Sequence, residues 1–62
     1  KILAYRSTGC IIENKTDRPI IVEGLTDYLV IQTDDATMII NKHNEHEIKN
    51  YASDVETNFK PK

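Results

Sequence analysis

The sequence has one cysteine, two glycines, two prolines and no tryptophan among its 62 residues. Each shortage excludes something. A single Cys10 cannot close an intramolecular disulfide, and a chain this small without a disulfide framework points to the cytosol. Gly9 and Gly24 are too few and too far apart for a phosphate-cradling loop, which needs several glycines in sequence so that backbone N–H groups can approach a pyrophosphate. The four aromatics, Tyr5, Tyr28, Tyr51 and Phe59, do not alternate with basic residues as a stacking platform for single-stranded nucleic acid would. The eight Lys and Arg face ten Asp and Glu, for a net charge of −2. They are scattered from Lys1 to Lys62, so no basic footprint for nucleic acid or anionic lipid is present. The longest apolar runs, Ile2–Tyr5 and Tyr28–Ile31, are four residues each. A membrane span needs about 20 and a signal peptide an apolar region of about 7–15, so neither is expected.

Size sets a further bound. Burial of ~6,000 Å² on folding, about 60% of it apolar, contributes on the order of 90 kcal/mol. Ordering the chain at ~1.5 kcal/mol per residue costs about the same. A neighbour or partner is therefore expected to help hold the fold. The chain begins at Lys1 and has no room for both a nucleotide-binding domain and a catalytic cleft, which reads as a piece of something larger.

What is present is a series of short β signals. Apolar runs start near Lys1, Cys10, Ile20, Tyr28 and Ala36. Polar or glycine-bearing segments separate them: Ser7-Thr8-Gly9, Glu13–Arg18, Glu23–Asp27 and Gln32–Asp35. Pro19 suits the entry to a strand, and Gly24 is the natural candidate for a positive φ. Starts 8 to 10 residues apart suit a small all-β unit. The runs are continuous rather than alternating, which indicates burial on both faces. A hairpin meander and a stack of parallel coils both satisfy this spacing.

After Asn41 the period changes. Ile48, Tyr51, Ala52 and Val55 stand at i, i+3, i+4 and i+7, one stripe of a helix. Asn44 with Glu47 has the spacing of a capping box. Glu45 and Glu47 suit the helix dipole, and Glu45 stands four residues before Lys49. A helix is expected over about 44–55 and a tail over 56–62, ordered only if Phe59 finds a pocket.

Few residues carry chemistry. His43 and His46 share a helix face with Glu47 nearby, and Cys10 is the remaining soft ligand for a zinc site. Against that stands a plain solvated first helical turn. Asp34-Asp35 could be a carboxylate pair, but general acid–base work needs two carboxylates in different environments. Adjacent aspartates between strands usually bond the turn's backbone, and Asp27 reads the same way. Cys10 beside Ile11 and Ile12 reads as a small core residue. Asn14-Lys15-Thr16 matches a glycosylation sequon with nothing else to suggest secretion. Tyr28 and Tyr51 are expected to bury their rings and keep their hydroxyls wet. No catalytic, cofactor-binding or metal-ligating residue is assigned.

The stretch from Val22 to Ile40 is the distinctive one. Val22-Glu23-Gly24-Leu25-Thr26-Asp27-Tyr28, then Val30, Thr33 and Asp35-Ala36, resembles the C-terminal region of mannose-1-phosphate guanylyltransferases, also called GDP-mannose pyrophosphorylases. Lys42, Glu45, Glu47 and Ile48-Lys49 stand in places that match the helix following in that family, and Ser7–Ile12 resembles its upstream turn and strand. The resemblance covers about residues 5–55. Thr37 and Asn41 depart from it, where the family has apolar or small residues.

The resemblance implies a short left-handed β-helix-like stack of four or five short strands with one C-terminal helix. It implies a 1–55 domain that packs on the polypeptide's own N-terminal catalytic domain and contributes to a homodimer. In the parent family that catalytic domain transfers GMP from GTP to mannose 1-phosphate using Mg²⁺. Its nucleotide loop and metal-binding aspartate have no counterpart here, so GTP and Mg²⁺ are expected only in that other domain. The helix is expected to cover an open end of the stack with Ile48, Tyr51, Ala52 and Val55. Two other readings stand beside this one: an independent small β module that recognises a protein through an edge strand, and a metal-binding module built on His43, His46 and Cys10.

Overall fold

The computed structural model describes residues 1–59. Five strands run in order: β1 (Ile2–Tyr5), β2 (Ile11–Asn14), β3 (Ile20–Glu23), β4 (Tyr28–Gln32) and β5 (Thr37–Asn41). A 3₁₀ segment, Lys42–Glu47, leads into α1 (Ile48–Phe59).

The pairing decides between meander and coil. β1 pairs in parallel with β3, Ile2 opposite Ile20. β2 pairs in parallel with β4, Ile11 opposite Leu29. Between them, Thr8 bridges Thr26, again in parallel. All three contacts have the same offset of 18 residues, so the chain winds through two stacked coils of three short segments each. Only β5 breaks the pattern: it turns back antiparallel to β4, Gln32 opposite Thr37. The fold is a β-helix-like stack with one C-terminal helix, as the resemblance implied.

A polypeptide with short straight sides must turn sharply between them, and the corners show how. Arg6, Gly9, Gly24 and Asp27 have positive φ, at 51°, 68°, 75° and 60°. Arg6 lies above Gly24 and Gly9 above Asp27, one coil apart. Each stacked corner thus pairs one glycine with one residue that pays a steric cost in the left-handed region. The first corner has Gly24 N–H donating to the Tyr5 carbonyl (2.9 Å). At the second, Asp27 N–H donates to the Thr8 carbonyl (2.8 Å).

The third corner is built from side chains. The Asn14 carboxamide oxygen accepts from the Thr16 N–H (3.0 Å) and the Thr16 hydroxyl (2.7 Å). Its nitrogen donates to the Arg18 carbonyl (2.6 Å) and the Lys1 carbonyl (3.3 Å). Gln32, directly below Asn14 in register, donates to the Thr16 hydroxyl (3.1 Å). An amide above an amide is how this fold closes a corner that has no glycine.

The core is small. Ile20, Val22 and Val30 form its centre, with Ile12 and Leu25 packed against them. Val30 is almost sealed, at 1% exposure. Residues of the second coil supply that centre; of its two strands β3 pairs only with β1, while β4, which holds Val30, is paired on both sides by β2 and β5.

Leu29 and Ile40 are buried too. They are paired neighbours across β4 and β5, and strand alternation puts them on the opposite face from Val30. The 3₁₀ segment folds back against β4 and β5 on leaving the sheet. Lys42 N–H donates to the Asp27 carbonyl (2.9 Å), and the Lys42 ammonium reaches the Gly9 carbonyl (2.8 Å). This lysine ties the end of β5 to both coils.

The helix differs from the sequence expectation in three ways. Helical turns begin at Lys42 rather than about 44, and α1 continues through Phe59 rather than ending near 55. The capping box at Asn44 does not form: Asn41 is the N-cap, its side chain accepting from His43 N–H (2.9 Å), while Asn44 breaks the helical geometry at φ −107°, ψ 17°. Glu47 instead accepts from the Asn50 side chain (2.8 Å). Finally, α1 does not cover an open end of the stack. Ile48, Ala52 and Val55 line a groove with Ile31 and Met38, which alternate with Val30 and so face outward from the coils. Tyr51 is not among the lining residues and is 39% exposed. The reason is the hairpin: once β5 reverses the chain, the helix leaves along the outer face of β4–β5. Phe59, the last described residue, is 77% exposed and fills no pocket.

Candidate functional site

The candidate catalytic and metal-binding side chains are not brought together. His43 and His46 are exposed on the 3₁₀ segment, with His46 beside its neighbour Glu47 at 3.6 Å. Cys10 is half-buried in the stack, its thiol near the Thr8 and Leu25 carbonyls (3.7 and 3.5 Å). Among the described residues no group of three or more His, Cys, Asp and Glu is placed to hold a metal ion. The structure does not bring His43, His46 and Cys10 together into such a group among the described residues.

Asp34 and Asp35 lie in the β4–β5 loop, exposed. The turn around them is closed by Thr33 rather than by their carboxylates. The Thr33 hydroxyl accepts from the Asp35 and Ala36 N–H groups (3.2 Å each), and Thr33 N–H donates to the Ala36 carbonyl (2.9 Å). Asp27 holds a corner through its backbone. The sequon asparagine, Asn14, is committed to the third corner through the bonds described above, which leaves its amide nitrogen engaged rather than presented. Tyr28 is half-buried beside Asn41, its register partner.

What the structure does present is uncovered apolar surface on the first coil. Leu3 and Tyr5 alternate outward along β1, each 51% exposed. Ile21, opposite Leu3 on β3, is 66% exposed. Together they make a flat two-stranded apolar face. Its margin carries the Arg6–Glu23 ion pair, 3.3 Å apart and open to solvent, which contributes little by itself. Around the edge lie Ile2 and Ala4, which occupy the register positions of the buried Ile20 and Val22 but have nothing stacked above them. Ile11 is 49% exposed for the same reason. The accessible surface, 4,889 Å², exceeds the ~4,100 Å² expected of a compact monomer of this mass. Sequence reasoning did not locate this face. Runs such as Ile2–Tyr5 look equally buried on both sides until pairing shows which coil is outermost.

Two coils of 18 residues, a returning strand and a helix define a short β-helix-like domain with an uncovered end. The model of the MannoseP isomerase/GMP-like beta-helix domain family matches residues 3–53. The chain belongs to that family. No curated protein and no solved structure matches it.

Proposed function

We propose that this chain is a non-catalytic β-helix domain of a sugar-nucleotide pyrophosphorylase of the mannose-1-phosphate guanylyltransferase type. Its work is structural: it docks on the nucleotidyltransferase domain of its own polypeptide and contributes to a homodimer in the cytoplasm. The observation that carries this reading is the Leu3–Tyr5–Ile21 face, contiguous with the open first coil. Exposed apolar patches of this kind on small domains mark contact surfaces. Membership of the MannoseP isomerase/GMP-like beta-helix domain family supports this reading. The transfer of GMP from GTP to mannose 1-phosphate, with its Mg²⁺, belongs to the partner domain in this reading.

The test has two arms. Calorimetric titration of the chain with GTP and Mg²⁺ should give no binding heat; saturable affinity would overturn the non-catalytic role. Leu3→Lys with Ile21→Lys should leave the unfolding midpoint nearly unchanged, within ~0.5 kcal/mol, because these side chains contact solvent rather than the core. It should also abolish any concentration dependence of the melt. A large loss of stability would show that the face serves the fold instead of a neighbour.

A further inference from the structure

A second surface is independent of the β1–β3 face. The groove between α1 and the β4–β5 hairpin measures about 280 Å³. Its floor is Ile31 and Met38 from the hairpin with Ile48, Ala52 and Val55 from the helix. Asp35 and Glu56 stand among its lining residues, one on each bank, and among the described residues no lysine, arginine or histidine does. Arg18, which reaches the Thr33 carbonyl at 3.5 Å, is outside the lining.

We propose that this groove is a docking site for an amphipathic helix of a protein partner that carries lysine or arginine beside its apolar stripe. Three observations select this occupant. The volume, about 280 Å³ and open along one side, has room for a few inserted side chains. The groove runs along α1 from Ile48 to Val55, about two helical turns, which suits a second helix laid beside the first. The two carboxylates on opposite banks complement a cationic segment and disfavour anionic lipid or nucleic acid. The floor residues Ile31, Met38, Ile48 and Val55 are only half-buried, so apolar surface remains for a partner to cover.

The test uses the full chain with methyl groups labelled for NMR and a synthetic amphipathic leucine–lysine peptide as probe. A leucine–glutamate peptide of the same pattern is the control. The leucine–lysine peptide should shift the methyls of Met38, Ile48, Ala52 and Val55 saturably, and the control should not. Asp35→Asn with Glu56→Gln should weaken binding about fivefold, as expected for two exposed ion pairs. Raising salt from ~0.01 to ~1 M, where the Debye length falls from ~30 to ~3 Å, should do the same. Ala52→Gln, at an exposed position, should block the groove without unfolding the chain. The proposal is overturned if both peptides bind alike, if the shifts fall on Leu3, Ile21 or Ile39, or if neither peptide binds. It is also overturned if the groove methyls shift with protein concentration alone, which would make the occupant a second copy of this chain.

Discussion

At the residue scale the corners dictate what can be changed. Gly9 and Gly24 both have positive φ, but their surroundings differ. A Cβ on Gly24 would meet nothing within 4 Å, whereas one on Gly9 would overlap the Asp27 carboxylate. Gly24→Ala should therefore cost only left-handed strain, about 1 kcal/mol. Gly9→Ala should cost clearly more, and Asp27→Gly should recover most of the difference in a double-mutant cycle read by chemical denaturation. Additive effects of the two substitutions would show that the side chains do not meet. Gly24 was legible in the sequence because it sits in a polar break between two apolar runs. Arg6 and Asp27 were not, because nothing in an arginine or an aspartate marks a left-handed residue until the coil stacks each of them against a glycine.

Elements are decided by competition between local signals. Asn44 and Glu47 have capping-box spacing, yet Asn41 takes the N-cap. Asn41 is the last residue of β5, and the chain must turn there because Lys42 is already bonded to the Asp27 and Gly9 carbonyls. A tertiary anchor thus moves the N-cap three residues upstream, from Asn44 to Asn41, and the turns begin in 3₁₀ form. Asn41→Ala should cost about 1 kcal/mol and lower helicity by circular dichroism, while Asn44→Ala should change neither measurably. The reverse outcome would restore the capping box. The apolar stripe of α1 was legible: Ile48, Ala52 and Val55 do share a face. The surface that face meets was not, because periodicity reports which side of a helix is apolar and nothing about its destination.

For the whole molecule, burial is concentrated in the second coil. Val30 is sealed while Ile39, beside it on β5, is 58% exposed. Val30→Ala should cost about 2 kcal/mol by the transfer and cavity terms, and Ile39→Ala should lie within ~0.5 kcal/mol of the parent protein in thermal unfolding. Comparable losses at both sites would mean that the underside of the sheet is covered after all. Among the described residues no helix is long and apolar enough to cross a membrane. The first coil is left uncovered, and the chain belongs to a family of β-helix domains.

Spacing and residue type by themselves determined five short strands, a polar break after each of the first four, and a C-terminal amphipathic helix. Those properties depend on local chemistry: β-branched runs favour extended backbone, and a 3.6-residue apolar period favours a helix. Only the tertiary structure decided that the strands stack in parallel at an 18-residue offset, that the helix follows the hairpin's outer face, and that Leu3, Tyr5 and Ile21 remain in solvent. Those outcomes depend on which strand lies beside which. A short apolar run has the same local preference in an inner coil as in an outer one, and only its neighbours determine whether its side chains meet protein or water.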